Sequence, residues 1–378
     1  VDGLWTHLQL RDSLTNNNNR LSYLSFFILE ETPVTNSAQK KIMQVLNGHA
    51  VWPPPVWIMR QAGRYLPEYR QVRSGVSGFL ELCYTPKLAA EVTLQPIRRF
   101  GFDAAIMFSD ILVVPDALGL KVEFVENEGP KLEQVLSMSD LGKLADELPL
   151  QRLDPVFETL DILKSSLPKE TTLLGFCGAP WTVASYMVAG KGTPDQAPAR
   201  ILAYTDPDFM DALIGRLIDA SISYLVRQID AGAEAVQIFE SFGAALPPAL
   251  FDRLSLEPIG RIVRGLKTVR PEARVIVFVR GGGANLQRLA EAGFADAIAL
   301  DWSINPAVIN ADTFGNVATQ GNLDPLALVA GGKALQQGVE TIRNAVRNRP
   351  HIFNLGHGIV PQTPVAHVEE LVKQVRAL

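Results

Sequence analysis

The chain has little cysteine: Cys83 and Cys177 are the two it contains. Two thiols cannot build a disulfide framework, and neither sits in a CxxC or Cys/His spacing that would hold zinc. Both are expected to be reduced and buried. Long apolar runs are also missing. The longest early one, Leu24 to Leu29, is far below the roughly 20 residues that a bilayer crossing needs. It has neither the positively charged start nor the small-residue cleavage site of a secretion signal, so no membrane partner and a cytoplasmic location are expected. No block of Lys and Arg is long enough to track a phosphate backbone, and the net charge is -5. Nucleic acid is thereby disfavoured as a partner.

What is present suffices for a large core, with 47% apolar and 20% charged residues in 378. Size alone suggests two or three domains, but a single α/β barrel with insertions also uses a chain this long. Because the molecule as a whole repels anions weakly, a polyanionic ligand would have to be caught by locally clustered Arg.

Residues 1–36 read differently from the remainder. Asn16 to Asn19 form a polar run and no period persists, so this stretch is expected to be a disordered leader outside a fold that occupies 37–378. Asp12, Glu30 and Glu31 count against a plastid transit peptide, which is poor in acid.

From Ser37 onward one phrase recurs: a helix ends at Gly, an acid follows, and a short apolar strand begins. It appears at Gly101-Phe-Asp103, Gly232-Ala-Glu234 and Gly293-Phe-Ala-Asp296. Gly supplies a left-handed helix cap, and the apolar run reads as a strand buried on both faces. Asp206 and Pro207 open the clearest helix, whose stripe of Leu213, Leu217, Ile218, Ile222, Leu225 and Ile229 keeps helical spacing. Apolar strand candidates are Val56 to Met59, Ala104 to Phe108, Leu173 to Phe176, Ala235 to Phe239, Val275 to Val279, Ala297 to Leu300, Val317 to Gln320 and His351 to Leu355. Eight parallel strands alternating with helices predict a single (β/α)8 TIM barrel with its active site at the C-terminal mouth, although an open sheet could hold the same number. The long interval from 109 to 172 has room for an extra hairpin near Lys121 to Val125 and Gly129-Pro130-Lys131.

Every candidate strand exits into Gly or polar residues, and in a barrel those exits converge on one pocket. Arg60 and Arg64 follow the first strand; two planar guanidinium groups can hold a molecule with several acids, the alternatives being a surface ion pair with Glu68 or a bridge to a neighbouring loop. Asp110 leaves the second strand, where it could stabilise a cation or simply cap a helix. Tyr186 could point its phenol into the mouth or serve as a core residue, and Ser241 could bind a carboxylate or cap a helix. His357 lies between two glycines after the last strand, as a ligand contact or a turn residue facing water. Gly281 to Gly283 match no phosphate-binding pattern and read as a mobile loop.

At these residues the chain resembles the uroporphyrinogen decarboxylase family, from about Ser37 to the C-terminus. The most specific pieces are Pro55-Val-Trp-Ile-Met-Arg60-Gln-Ala-Gly-Arg64-Tyr65-Leu-Pro-Glu-Tyr, Phe108-Ser109-Asp110-Ile111-Leu112, Gly178-Ala-Pro-Trp-Thr-Val-Ala-Ser-Tyr186-Met-Val and Asn354-Leu-Gly-His357-Gly. The resemblance implies a homodimeric barrel enzyme that converts the four acetate side chains of uroporphyrinogen III to methyl groups, giving coproporphyrinogen III, with no cofactor and no metal. It implies that Arg60 and Arg64 bind substrate carboxylates, that Asp110 gathers the pyrrole N–H groups, that Phe239 packs on the macrocycle, and that Tyr186, Ser241 and His357 complete the pocket. The pattern departs at Glu240-Ser241-Phe242, where relatives commonly carry Asp-Ser-Trp.

Chemistry fits that expectation. Decarboxylation of an acetate needs an electron sink, and no strand exit offers a Lys for a Schiff base. A protonated pyrrole can be its own sink, leaving the protein to stabilise a cation. Catalytic roles are therefore expected for Asp110, Arg60 and Tyr186. Two rivals are a corrinoid-dependent methyltransferase on the same barrel, which needs a thiolate-rich zinc site, and a tetrapyrrole carrier, which would not need a buried anion.

Overall fold

The computed structural model describes residues 39–125, 128–309 and 311–378; the expected leader at 1–36 lies outside the described residues. Nine strands occur among them: β1 (Ala104–Ile106), β2 (Val122–Val125), β3 (Gly129–Leu132), β4 (Thr172–Gly178), β5 (Ala235–Glu240), β6 (Arg274–Val279), β7 (Ala297–Ala299), β8 (Ala318–Leu323) and β9 (His351–Leu355). Seven of them form one parallel sheet in the order β1-β4-β5-β6-β7-β8-β9. The fold is α/β and barrel-like, with all seven strand exits on one side. β2 and β3 pair as the expected antiparallel hairpin in the interval after β1.

The first expected strand, Val56 to Met59, is reduced to a single parallel bridge between Val56 and Phe353 of β9. Its physical cause lies in its neighbours. Pro53, Pro54 and Pro55 precede it and carry no N–H to donate. Beyond Val56 and Trp57, side chains replace the ladder: Ile58 N–H donates to Gln61 Oε1 at 3.4 Å and Met59 N–H to Asn354 Oδ1 at 2.9 Å.

The recurring glycine-acid phrase has a definite structural role. Gly101, Gly232 and Gly293 all have positive φ, at 62°, 120° and 67°, and so stop their helices as expected. Each acid then grips the start of the neighbouring strand. Val56 N–H donates to Asp103 Oδ2 at 2.8 Å, Leu173 N–H to Glu234 Oε2 at 2.9 Å, and Val275 N–H to Asp296 Oδ2 at 2.8 Å. In return, the backbone N–H of each acid donates to the carbonyl of that same residue, at 2.9, 2.8 and 3.0 Å. A cation sits on each carboxylate: Arg376 on Asp103, Lys40 on Glu234 and Lys267 on Asp296. These clamps set the register at the N-terminal ends of the strands.

Asp206 caps the helix Pro207–Asp230 by accepting from Phe209 N–H at 3.1 Å, as the sequence predicts. Its stripe of Leu213, Leu217, Ile218 and Leu225 is fully buried, and Ile222 and Ile229 pack at the margin. Inside the sheet, Trp57 Nε1 donates to Gln320 Oε1 and Gln320 Nε2 to Gln237 Oε1, at 3.0 and 3.1 Å. The interior is thus filled with side chains on the layer beneath the mouth.

Candidate active site

The floor of the mouth is aromatic. Phe239 on β5 meets Phe176 on β4 edge-on at 5.7 Å and Phe278 on β6 at 6.1 Å. Phe278 is fully buried, whereas Phe239 keeps part of its ring accessible. From Phe278 the contacts continue to His357 at 6.0 Å and then to Trp302 at 6.0 Å. A flat apolar ligand has a surface on which to lie.

Around this floor stand the polar exits. Asp110 is half-buried four residues beyond the end of β1. Its Oδ1 accepts from Leu112 N–H at 2.9 Å, a local turn contact rather than a helix cap, since the following helix has no side-chain cap. Among the described residues its Oδ2 has no partner. Burial pushes this carboxyl up to about 6, against the smaller opposing pulls of Leu112 N–H and the Arg60 cation. Arg60 lies close enough to be felt but forms no ion pair with it among the described residues.

Arg60 is exposed and occupies the left-handed region, with φ 63°, where a side chain other than Gly costs about 1 kcal/mol or more. Its stem runs against Gly358, where an added Cβ would lie 2.3 Å from Arg60 Cδ. Glycine is required there for space. Arg64 is exposed one turn on. The alternative pairing with Glu68 does not occur, because Arg99 takes both oxygens of Glu68, at 2.8 and 3.0 Å.

Tyr186 lies near the end of the helix Pro180–Ala189, half-buried, its ring 5.3 Å from Phe242. Its hydroxyl has no partner among the described residues, so the expectation of a locally satisfied core tyrosine is not met. Burial raises its pKa, with a smaller contribution from Asp110, while Arg60 opposes. Arg60, Asp110 and Tyr186 therefore share one electrostatic site. Ser241 uses its backbone N–H on Thr182 Oγ1 at 2.8 Å, and its own hydroxyl caps no helix. His357 is half-buried between Phe278 and Trp302. Burial, then the Arg60 and Arg280 cations, bring its pKa down to about 4, so the imidazole is neutral at neutral pH and does not stand free in water.

Three residues of this site carried no assigned role in the sequence reading. Glu240 is fully buried behind Ser241, accepting from Thr182 Oγ1 at 2.5 Å and Phe242 N–H at 3.0 Å; burial pushes it up to about 7. Arg280 places its guanidinium 5.4 Å from the Trp302 ring centre. Asp301 accepts from Gly281 N–H at 2.5 Å and Ser303 N–H at 2.7 Å. Asp301 thereby ties the head of the Gly281 to Gly283 run to the exit of the next strand. All three stand at strand exits, and an Arg ahead of a glycine run was the visible signal for one of them.

Cys83 and Cys177 are buried free thiols, and burial pushes both up, Cys177 to about 12. Among the described residues no group of three or more His, Cys, Asp or Glu is gathered as a metal-ion site, and no helix is long and apolar enough to cross a membrane.

Residues 37–378 match the family described as uroporphyrinogen decarboxylase (URO-D). The uroporphyrinogen decarboxylase of Agrobacterium fabrum is 52% identical over 341 residues, covering 90% of this chain and 98% of that protein. That of Mesorhizobium japonicum is 53% identical over 336 residues, covering 89% and 97%. Among solved structures, a methyltransferase from Methanosarcina mazei matches with a TM-score of 0.74 at 20% identity, over 89% of this chain and 97% of its own. At that identity the likeness concerns the fold alone.

Proposed function

The chain belongs to the uroporphyrinogen decarboxylase family, and from this premise we propose how its mouth performs the reaction. It is a carboxy-lyase that decarboxylates uroporphyrinogen in tetrapyrrole biosynthesis. The macrocycle lies on Phe239, with its pyrrole N–H groups toward Asp110 and its carboxylates toward Arg60 and Arg64. Tyr186, Ser241 and His357 complete the contacts.

One observation carries this reading: Asp110 is a half-buried carboxylate with an unpaired oxygen, and burial has raised its pKa to about 6. Above that pH it is a charge that Leu112 N–H and the Arg60 cation compensate only in part. A cation forming beside it is stabilised without reorganisation of solvent. A proton adds to a pyrrole ring carbon and makes a cation. The bond between the acetate methylene and its carboxylate breaks, carbon dioxide leaves, and the electron pair enters the ring as an exocyclic double bond. A second proton converts that methylene to methyl, and loss of the ring proton restores the pyrrole. Each cycle replaces one carboxylate with one hydrogen. Arg60 positions the reacting acetate; a guanidinium holds its proton too tightly to be the main proton source at neutral pH.

The Val56 segment is the eighth stave of a closed barrel occupying 37–378. Its clamp by Asp103 repeats the pattern of Leu173 with Glu234 and Val275 with Asp296, and its bridge to Phe353 supplies a neighbour on the other side. The enzyme works in the cytoplasm as a homodimer. Exposed Trp302, at the exit of β7, and Leu326, in the first turn of the helix Pro325–Ala330 after β8, support a partner facing that mouth.

Anaerobically prepared uroporphyrinogen, incubated with purified protein with and without a chelator, tests the assignment. Coproporphyrinogen should form in both and vanish in Asp110→Ala. Near wild-type turnover in that variant would remove Asp110 from the mechanism.

A further inference from the structure

We propose that Arg280 is a second carboxylate anchor of the mouth, binding a side-chain acid of the macrocycle on the side away from Arg60 and Arg64, with Trp302 and Asp301 as its positioning residues. The inference rests on the reading of the mouth as the porphyrinogen site and deepens it.

The placement follows from strand order. β6, which ends at Val279, lies three steps from β1 and three steps from β9 along the sheet. The Val56 segment that leads to Arg60 touches β9 through Phe353 and the residue before β1 through Asp103. Arg280 therefore leaves the strand farthest along the sheet from the Arg60 exit. A tetrapyrrole with carboxylates on every ring presents acids to both sides at once. Arg60 and Arg64 can serve only one side. On the other, an acid brought down over Phe239 and Phe278 would lose water without compensation unless a cation met it.

Arg280 has the surroundings of such an anchor. Its guanidinium makes no hydrogen bond and no ion pair among the described residues. The nearby acid, Asp301, turns its two oxygens to the Gly281 and Ser303 backbone N–H groups and forms no direct ion pair with the guanidinium among the described residues. The hold on Arg280 is double. Asp301 grips the residue after it, while Trp302, the next residue along, lies under its guanidinium at 5.4 Å. Gly281 has φ +65°, and a Cβ there would lie 2.4 Å from Ala244 Cβ, so the turn is packed as well as tethered. His357 meets Trp302 edge-on at 6.0 Å, and the Arg60 and Arg280 cations both lower its pKa. A guanidinium that lies over an indole ring and has no direct anionic partner is available to a carboxylate.

Steady-state kinetics with uroporphyrinogen in Arg280→Gln, Arg280→Lys and Asp301→Asn, beside wild type and Asp110→Asn, test this. Loss of a charge-assisted contact should raise KM about tenfold to a hundredfold in Arg280→Gln. kcat should stay within about threefold, because the anchor holds ground state and transition state alike. Arg280→Lys should recover part of the loss, and Asp301→Asn should raise KM in the same direction by less. KM within twofold of wild type in Arg280→Gln overturns the anchor, as does a fall in kcat at unchanged KM. Asp110→Asn reports on the parent reading separately, since there kcat collapses whatever Arg280 does.

Discussion

Asparagine in place of Asp110 keeps the side-chain shape and its bond from Leu112 N–H but removes the charge. The folded carboxyl titrates at about 6 against an ordinary value of 3.8. Between those values the folded protein holds more protons than the unfolded chain, so stability falls as pH rises through the window, and above it the full cost remains. That rise corresponds to about 3 kcal/mol. Part of this is returned because the Asn amide is itself imperfectly satisfied in that environment, at about 1 kcal/mol. Asp110→Asn should therefore be more stable than wild type by about 1 to 2 kcal/mol at pH 8, with the advantage shrinking as pH falls through about 6 and lost near pH 4. Urea denaturation midpoints at pH 4, 6 and 8 measure it. Turnover should fall at least about a hundredfold, the scale on which a preorganised transition-state contact is lost. A stability difference that is the same at pH 4 and pH 8 would refute the argument that an uncompensated charge is stored at this position.

Other consequences can be measured on the same preparation. The acid limb of kcat/KM should inflect near pH 6 in wild type; in Arg60→Ala, where the opposing cation is gone, it should move to higher pH, which residual activity against pH will show. Gly358→Ala should mimic loss of Arg60, with kcat/KM down about tenfold or more, because its methyl occupies the space of the Arg60 stem; an unchanged value would show that Arg60 relocates freely. Asp103→Ala should cost about 1 to 3 kcal/mol of stability by orphaning Val56 N–H while leaving the KM of the folded enzyme unchanged.

Much of the fold was legible because its signals are local. Gly101, Gly232 and Gly293 declared three helix ends, Asp206-Pro207 a helix start, and β9 was recovered at its observed bounds. The Val56 to Met59 strand was harder because its pairing is lost to side chains that come from far along the chain or fold back on it, Asn354 and Gln61. Periodicity cannot register a ladder bond replaced by an amide. The site follows the same division. Arg60, Asp110, Tyr186, Ser241 and His357 stand in distinctive motifs at strand exits. Arg280, Asp301 and Glu240 gain meaning from contacts between different exits, Asp301 with Gly281 and Glu240 with Thr182, and no stretch of sequence displays those.

The acid clamps sit at one end of the strands and the unpaired charges at the other. Alignment of the chain is thus decided far from the reacting atoms, and the top loops can tolerate awkward electrostatics without slipping out of step. Random substitutions should accordingly sort by height: those at the base lower the amount of protein recovered, and those at the rim lower what each recovered molecule achieves.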